Sequence, residues 1–330
     1  MSTVPLIADL DLGANNTLGL ASRARLGAVL RDASGIEVLV DAAAEKKLPL
    51  HVLGGGSNVV LRPVIDALVV RMATAGRFIE DGSDETLVTA AAGEDWPSFV
   101  AWTVAQGLAG LENLAGIPGT VGAAPIQNIG AYGFELAQRF KSLTAFDTVT
   151  RQRRAFEREE CRFEYRNSLF KRERGRFIVL DVTLSLPKSW KPNLGYAGLD
   201  TLPATSDAAT VMARVLAIRA SKLPDWREIG NAGSFFHNPV VTEDAAGRIA
   251  GAPRYKAAGG MVKLSAAWLI EACSLKGARE GQAGIYEKHA LVIVNHGGAR
   301  HEDIVKLATR VKDTVRARFG IELVQEPLDY

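Results

Sequence analysis

The chain is poor in cysteine: only Cys161 and Cys273 occur among its 330 residues, and they lie far apart. Without a CxxC or Cys/His spacing, the sequence predicts neither a disulfide framework nor a zinc site. Apolar runs long enough to span a bilayer are also missing, and Asp9 and Asp11 interrupt the one N-terminal stretch that could imitate a signal peptide. We therefore expect a cytoplasmic protein with no metal site and no membrane association.

A large excess of charge of one sign is missing as well. The 39 Lys and Arg residues nearly balance the 37 Asp and Glu residues, and the densest basic stretch, 151–176, is interleaved with glutamates. No run of basic residues is long enough to follow a nucleic-acid backbone. We expect small-molecule partners rather than nucleic acid, and we predict a monomer.

Apolar residues, in contrast, make up 47% of the chain, which at this length predicts two or three domains. Apolar spacing and capping residues predict helices over 37–47, 95–107, 208–222, 263–273 and 302–319. Strands are predicted on both sides of the glycines at 54–56 and over 67–72, 86–93, 142–149, 177–186 and 290–295. The regions 187–193 and 244–260 are predicted to be loops or domain edges. This mixture indicates an α+β fold with several sheets.

Three consecutive glycines lie in the segment LGGGSNVVL, residues 53–61. Glycines let successive backbone N–H groups point into one concavity, and such nests bind phosphate without a cation. The segment is therefore a candidate pyrophosphate site, although a tight hairpin turn would show the same pattern. It is not the Rossmann fingerprint, because the glycine spacing breaks at Val59 and no helix follows.

A second glycine-rich segment runs from Gly107 to Gly133 and contains GIPGTVGAAPIQNIGAYG. Its glycines permit close backbone approach to a flat ligand, and Gln127 and Asn128 can hydrogen-bond an edge of such a ligand. A helix packed closely against a sheet would also explain the composition. Together, the two segments favour a dinucleotide cofactor.

Six motifs occur in order: GGGSNVVL; GLENLAGIPGTVGAAPIQNIGAYG; CRFEYRNSLFK; SKLPDW followed by GNAGSFFHNPVV; KLSAAWLIEACSLKG; and HALVIVN. Together they resemble the motifs of the UDP-N-acetylenolpyruvoylglucosamine reductases. The resemblance extends from Asn16 to Glu326, and PIQNIGAYG, YRNS and GNAGSFF are each specific.

The resemblance implies an α+β FAD-binding fold of the vanillyl-alcohol-oxidase (PCMH) type with a separate C-terminal substrate-binding domain. The implied boundaries are 16–188 for the FAD-binding region (subdomains of about 16–70 and 71–188), 189–225 for a long loop and connecting helix, 226–320 for the substrate domain and 321–330 for a segment that returns to the active site. FAD would bind non-covalently, because Ser57 rather than a histidine stands in the glycine turn. The implied cofactor contacts are Gly54, Gly55, Gly56, Ser57, Asn58, Pro118, Gly119, Gly122, Asn128, Gly130 and Tyr132.

Three residues match the catalytic positions of the family: Arg166 in YRNS, Ser234 in GNAGSFF, and Glu326. Arg166 would stabilise negative charge beside the substrate carboxylate, Ser234 would donate a proton, and Glu326 would position or polarise the same groups. The chain reads LVQEPLDY where many relatives carry LEPEV, so Glu322 is an alternative to Glu326. The implied substrate contacts are Tyr165, Tyr196, Lys222, Asn238 and His289, and Tyr196 marks the long-loop type of the family.

The implied reaction is the reduction of the enolpyruvyl ether of UDP-N-acetylglucosamine enolpyruvate to UDP-N-acetylmuramate, a step of peptidoglycan synthesis. NADPH would donate the hydride through FAD, and the two substrates would use one site in turn. Two alternatives remain: a flavin oxidase of the same fold, and a flavin-binding protein without catalytic activity.

Overall fold

The computed structural model describes residues 4–330. Its α-helices are α1 (Ile36–Glu45), α2 (Trp96–Ala105), α3 (Leu169–Arg172), α4 (Ala208–Lys222), α5 (Glu243–Gly247), α6 (Ala266–Ala272) and α7 (His301–Phe319). Within these residues, no helix is both long enough and apolar enough to cross a membrane.

The β-strands are short and are spread along the whole described chain. Those up to residue 187 are β1 (Ile7–Asp11), β2 (Arg23–Leu30), β3 (Leu50–Leu53), β4 (Val59–Val60), β5 (Val64–Met72), β6 (Arg77–Asp81), β7 (Glu85–Ala91), β8 (Gly130–Ala131), β9 (Phe134–Glu135), β10 (Phe140–Asp147), β11 (Gln152–Glu157) and β12 (Phe177–Pro187). The later strands are β13 (Gly230–Ser234), β14 (Val240–Val241), β15 (Arg254–Lys256), β16 (Val262–Leu264), β17 (Arg279–Glu280), β18 (Ala283–Ile285), β19 (Val292–Asn295) and β20 (Leu328–Asp329).

The chain forms two compact units, each with its own apolar core. The first unit contains the described residues up to Leu10 together with Ala24–Gly55 and Asp66–Ser221, and the second contains Asp11–Arg23, Gly56–Ile65 and Lys222–Tyr330. Two short stretches from the first 65 residues therefore belong to the same unit as the last third of the chain. The four domain boundaries expected from the sequence stay predictions.

The first unit is built on two sheets. An antiparallel sheet has the strand order β11-β10-β12-β7-β6, and a second sheet has the order β1-β2-β5-β3, in which β3 and β5 are parallel. Helix α2 begins where the Asp95 carboxylate accepts the Ser98 N–H at 2.9 Å, a typical N-cap. Trp96 and Phe99 on this helix are buried in the core of the unit.

The second unit contains an antiparallel sheet of order β13-β19-β18-β17, a smaller antiparallel sheet β14-β16-β15, and the parallel pair β20-β4. Helix α7 turns one apolar side toward the core, burying Ile304, Leu307, Val311 and Val315, as the 3.6-residue spacing predicts. It ends at Gly320, which has a left-handed φ of 68°.

The predicted helices are confirmed to within a few residues, and α4 has the predicted bounds. The loop alternative for 244–260 is wrong where α5 and β15 lie, because elements of three to five residues are too short to show a period. The domain-edge alternative stays a prediction. The hairpin alternative for the three glycines is also wrong. The flanking strands do not pair with each other: β3 pairs with β5 and β4 with β20, both in parallel.

Gly320 and Gly247 form a matched pair for testing the end of α7. Among the described residues, no atom lies within 4 Å of an added Cβ at either position, so the comparison isolates the backbone. We expect Gly320→Ala to lower the free energy of unfolding by about 1 kcal/mol, because alanine is strained at positive φ. Gly247→Ala, at the end of α5, should change it by less than about 0.5 kcal/mol. Urea unfolding followed by circular dichroism measures both, and equal losses would contradict the argument.

Candidate active site

The two glycine-rich segments meet within the first unit. An added Cβ on Gly55 would lie 2.9 Å from the Cα of Gly119, and one on Gly54 would overlap the Oγ1 of Thr120. Side chains at 54 and 55 would therefore push two backbone segments apart. Gly54, Gly55, Pro118 and Gly119 all retain some exposure to solvent. They form a surface lined by backbone, of the kind that accommodates a pyrophosphate or a flat ring.

Two backbone hydrogen bonds fix the segment that carries Gly119 and Gly122. The Gly119 oxygen accepts the Trp96 N–H at 3.0 Å, and the Gly122 N–H donates to the Ala92 oxygen at 2.9 Å. Gly122 is buried, and an added Cβ there would overlap Ala92. Close packing against the protein already requires glycine at this position, so a cofactor contact of Gly122 stays a prediction.

The glycine turn continues into the second unit with Gly56, Ser57 and Asn58. Gly56 has a φ of 61°, and an added Cβ would overlap the backbone of Asn15. Asn58 donates from Nδ2 to the backbone oxygen of Glu326 at 3.4 Å, while Ser57 is half-buried. The turn is thus joined to the segment that carries the predicted catalytic glutamate.

Arg166 lies at the tip of a tight turn in the first unit. Glu164 and Asn167 exchange backbone hydrogen bonds of 3.0 and 3.1 Å, so the exposed Tyr165 and the half-buried Arg166 form the tip. Arg166 has a φ of 54°, a left-handed conformation that costs a non-glycine residue about 1 kcal/mol. An added Cβ on Gly130 would lie 3.6 Å from the Nη1 of Arg166. Gly130 therefore lies next to the guanidinium, and a side chain there would be crowded by Glu135 and Phe134 rather than by Arg166.

The side chain of Asn128 is hydrogen-bonded to this turn. Its Nδ2 donates to the Glu164 oxygen at 3.1 Å and to the Glu135 carboxylate at 2.9 Å, and its Oδ1 accepts the Ala137 N–H at 2.9 Å. The side chain is 1% exposed. Because both ends of the amide are bonded to protein, the geometry indicates that Asn128 fixes the turn of Arg166. Its contact with a cofactor stays a prediction.

Tyr132 and Tyr196 pack edge to face in the first unit. Their ring centroids are 4.9 Å apart with planes at 75°. The Tyr132 hydroxyl also interacts electrostatically with the guanidinium of Arg219, a half-buried residue of α4. Burial raises the pKa of Tyr132, and burial lowers the pKa of Arg219. The tyrosine predicted for the cofactor and the tyrosine predicted for the nucleotide are therefore in direct contact.

Ser234 and Glu326 belong to two neighbouring backbone segments of the second unit, which are joined by an isolated bridge between Phe236 and Gln325. Ser234 ends β13 and follows Gly233, whose φ is 69°. The next residue, Phe235, accepts the backbone N–H of Glu326 at 2.9 Å. The predicted proton donor, Ser234, is thus one residue away from the residue that accepts the backbone N–H of the predicted carboxylate.

The two candidate C-terminal glutamates differ in their surroundings. The Glu326 side chain is 10% exposed, and its Oε2 lies 3.8 Å from the Nε2 of His237. The Glu322 side chain is 78% exposed and lies 3.7 Å from the Nη1 of Arg316. A buried carboxylate interacts more strongly with a nearby charge than an exposed one does, so the surroundings favour Glu326.

Lys222, Asn238 and His289, the remaining predicted substrate residues, all belong to the second unit. The Nδ1 of His289 accepts the Leu291 N–H at 3.2 Å, which leaves Nε2 as the donor of the neutral ring. Burial lowers the pKa of His289, and the charge of Lys222 lowers it further. The Oδ1 of Asn238 accepts the Ala266 N–H at 2.9 Å, so its Nδ2 is the end that can reach a ligand.

Known proteins resemble this chain over nearly its whole length. A sequence profile described as "FAD binding domain" matches residues 27–152, and one described as "UDP-N-acetylenolpyruvoylglucosamine reductase, C-terminal domain" matches residues 224–328. The UDP-N-acetylenolpyruvoylglucosamine reductase of Burkholderia cenocepacia (strain HI2424) is 47% identical over 342 residues, which cover 99% of this chain and 97% of the relative. This chain belongs to the UDP-N-acetylenolpyruvoylglucosamine reductase family.

Two further comparisons agree with this membership. The reductase of Burkholderia multivorans (strain ATCC 17616 / 249) is 47% identical over 340 residues, with 99% of this chain and 97% of the relative covered. The crystal structure of the reductase (MurB) from Thermus caldophilus has a TM-score of 0.70 at 25% identity and covers 100% of both chains. The predicted α+β fold, with an FAD-binding domain and a separate C-terminal reductase domain, is confirmed.

Sequence reasoning missed Arg219 and His237, which the structure brings next to predicted site residues of the reductase. Arg219 lies in the stretch IRASKLPD, three residues before Lys222, and His237 directly follows GNAGSFF. Because both residues lie next to recognised motifs, the sequence could have indicated them as candidate site residues. Their partners, Tyr132 and Glu326, could not be found without the fold.

The glycine surface can be tested through flavin retention. We expect Gly55→Ala to weaken FAD binding about tenfold or more, because overpacking against the Gly119 backbone costs about 1–3 kcal/mol. Gly247→Ala, which has open space around it, is the control and should retain its flavin. The visible absorbance of flavin per protein after gel filtration, followed by titration with FAD, measures the change. Unchanged affinity would exclude this surface as a cofactor site.

The effect of the Lys222 charge on the pKa of His289 can be tested by substitution. We expect Lys222→Gln to raise the pKa of His289 while leaving it below the ordinary value, since burial is the larger cause. The pKa of His296 is lowered by burial and Arg279 and should not change, which makes it an internal control. Titration of the imidazole NMR signals measures both. Because folding disfavours protonation of His289, this group destabilises the folded state as the pH falls below about 6.5.

Proposed function

We propose that this chain reduces the enolpyruvyl ether of UDP-N-acetylglucosamine enolpyruvate to UDP-N-acetylmuramate, an FAD- and NADPH-dependent step of peptidoglycan synthesis. The proposal is carried by the match to named reductases over 99% of the chain. FAD, when bound, supplies the redox chemistry by taking a hydride from NADPH and giving it to the enolpyruvyl double bond. The glycine-lined surface of the first unit, partly exposed at Gly54, Gly55 and Gly119, fits such a group, because glycines let a pyrophosphate approach the backbone N–H groups.

Arg166 is assigned to the substrate carboxylate. A guanidinium binds a carboxylate in a planar fork and keeps its charge at every physiological pH. Negative charge that develops beside the carboxylate during reduction is therefore stabilised without a proton transfer. The left-handed turn and its support by Asn128 hold the guanidinium in place before the substrate arrives.

Ser234 is assigned as the proton donor, and Glu326 as the carboxylate that positions or polarises the reacting groups. A serine hydroxyl is a weak acid, so a second group must return the proton that it gives up. The burial of Glu326 beside His237 supports a relay in which these two residues and water restore the proton. Glu322, which is exposed, does not have such surroundings.

The remaining residues are assigned to the UDP-sugar. Lys222 is a point charge suited to a diphosphate, and the neutral His289 and Asn238 each offer an N–H donor. Tyr196 is proposed to close over the nucleotide, with Tyr165 at the tip beside Arg166 as a further substrate contact. A closed aromatic residue excludes water and strengthens the polar interactions that it covers.

We also propose that the enzyme acts in the cytoplasm as a monomer. Both cysteines are free thiols, and burial raises the pKa of Cys161 to about 12, which suits a structural thiol in a reducing compartment. The balanced charge gives no reason to expect a nucleic-acid partner. Sedimentation equilibrium of the flavin-loaded protein measures the oligomeric state.

Anaerobic stopped flow tests the reaction and the proton donor together. NADPH should bleach the bound flavin, and UDP-N-acetylglucosamine enolpyruvate should restore its colour. We expect Ser234→Ala to slow the return by about 10²–10⁴-fold, while Ser234→Cys, which keeps a dissociable proton, should lose less. Bleaching without return of colour would refute the reductase activity. Oxygen consumption with an alcohol or an aldonolactone as the substrate would instead favour a flavin oxidase.

A further inference from the structure

The loop that carries Tyr196 is tied to the second glycine-rich segment by two consecutive residues of that segment, Glu112 and Asn113. Both are almost completely buried, with exposures of 2% and 1%. The Nδ2 of Asn113 donates to the backbone oxygen of Asn193 at 3.0 Å and to that of Tyr132 at 3.1 Å. One amide therefore bridges the loop and the turn that contains Tyr132.

Glu112 makes the second attachment. Its Oε1 accepts the indole N–H of Trp190 at 3.1 Å, and its Oε2 accepts the Gly110 N–H at 2.6 Å. Burial lowers the pKa of Arg139, and the charge of Glu112 opposes part of this lowering. A buried carboxylate is costly unless its oxygens accept hydrogen bonds. Release of Trp190 would remove one of those bonds, so the burial of Glu112 favours the attached loop.

Two contacts from the loop itself complete the attachment. The Nδ2 of Asn193 donates to the Gly133 oxygen at 3.1 Å, and the ring of Tyr196 packs on Tyr132. The loop is therefore attached at 190, 193 and 196 to one continuous stretch of the first unit.

We infer that Glu112 and Asn113 are positioning residues that hold Tyr196 ready for the UDP-sugar. The inference depends on the proposed role of Tyr196. A loop that is already attached before the ligand binds has less conformational freedom to lose on binding. Among residues 4–330, the Oδ1 of Asn113 has no hydrogen-bond partner, so the contribution of this amide comes from its two N–H donors. Both donors serve the attachment.

Asn113→Ala removes these donors, and Trp190→Phe removes the donor to Glu112 from the loop side, without altering the buried segment. We expect each variant to raise the KM for UDP-N-acetylglucosamine enolpyruvate, by about tenfold for Asn113→Ala. The flavin content and the rate of flavin bleaching by NADPH should stay at the wild-type values. Lys191→Ala, at an exposed position of the same loop, is the matched control and should not change KM.

Limited digestion with chymotrypsin reports the attachment independently of catalysis. Chymotrypsin cleaves after aromatic residues, and the loop contains two such sites, the peptide bonds 190–191 and 196–197. We expect faster cleavage of the loop in Asn113→Ala than in the wild type or Lys191→Ala. Unchanged cleavage, or faster cleavage with an unchanged KM, overturns the inference. If the UDP-sugar does not reoxidise the wild-type flavin, the proposed function fails, and the cleavage rates alone decide whether Asn113 holds the loop.

Discussion

In the first unit, the backbone of Gly55 approaches that of Gly119 so closely that a Cβ atom would be 2.9 Å from its neighbour. This contact places two segments that are more than 60 residues apart in the chain side by side. The Gly119 oxygen is also bonded to the first residue of α2, so the position of the contact is fixed by the core beneath it. The candidate cofactor surface, the turn of Arg166 and the attachment of the Tyr196 loop are all built on this pair of segments.

The polar side chains of the second glycine-rich segment mainly form hydrogen bonds with other parts of the protein. Asn128 bonds the turn that carries Arg166, and Asn113 bonds the loop that carries Tyr196. Neither amide has its N–H groups directed at a ligand. The backbone of the segment is thus available to a cofactor, while its amides set the direction of the residues proposed to meet the substrate. The same segment thereby supports both the proposed cofactor site and the residues proposed to bind the substrate.

The sequence predicted those parts of the fold that local chemistry determines. Helix α4 was predicted with its bounds, and the end of α7 was predicted from Gly320, because capping and apolar spacing are properties of neighbouring residues. The strand after the glycines, β4, was predicted, but its parallel pairing with β20 was not. The two-residue strand β20 could not be predicted, since it is a strand only through this distant partner. The family motifs indicated candidate site positions. The hydrogen bonds of Asn128 to protein groups and the approach of His237 to Glu326 depend on burial and on contacts between distant residues. A short sequence motif does not predict either.

The second unit is assembled from three separate stretches of the chain. Leu18, Leu20 and Val60 belong to its apolar core, and β4 pairs with β20 at residues 328–329. On the ribosome, these early apolar residues are made long before the partners that cover them. The first unit has all its residues once Ser221 has emerged, whereas the second cannot close until β20 has been synthesised. Translation therefore gives the two units different folding schedules, and the early apolar stretches of the second unit stay without their native partners until β20 has been made.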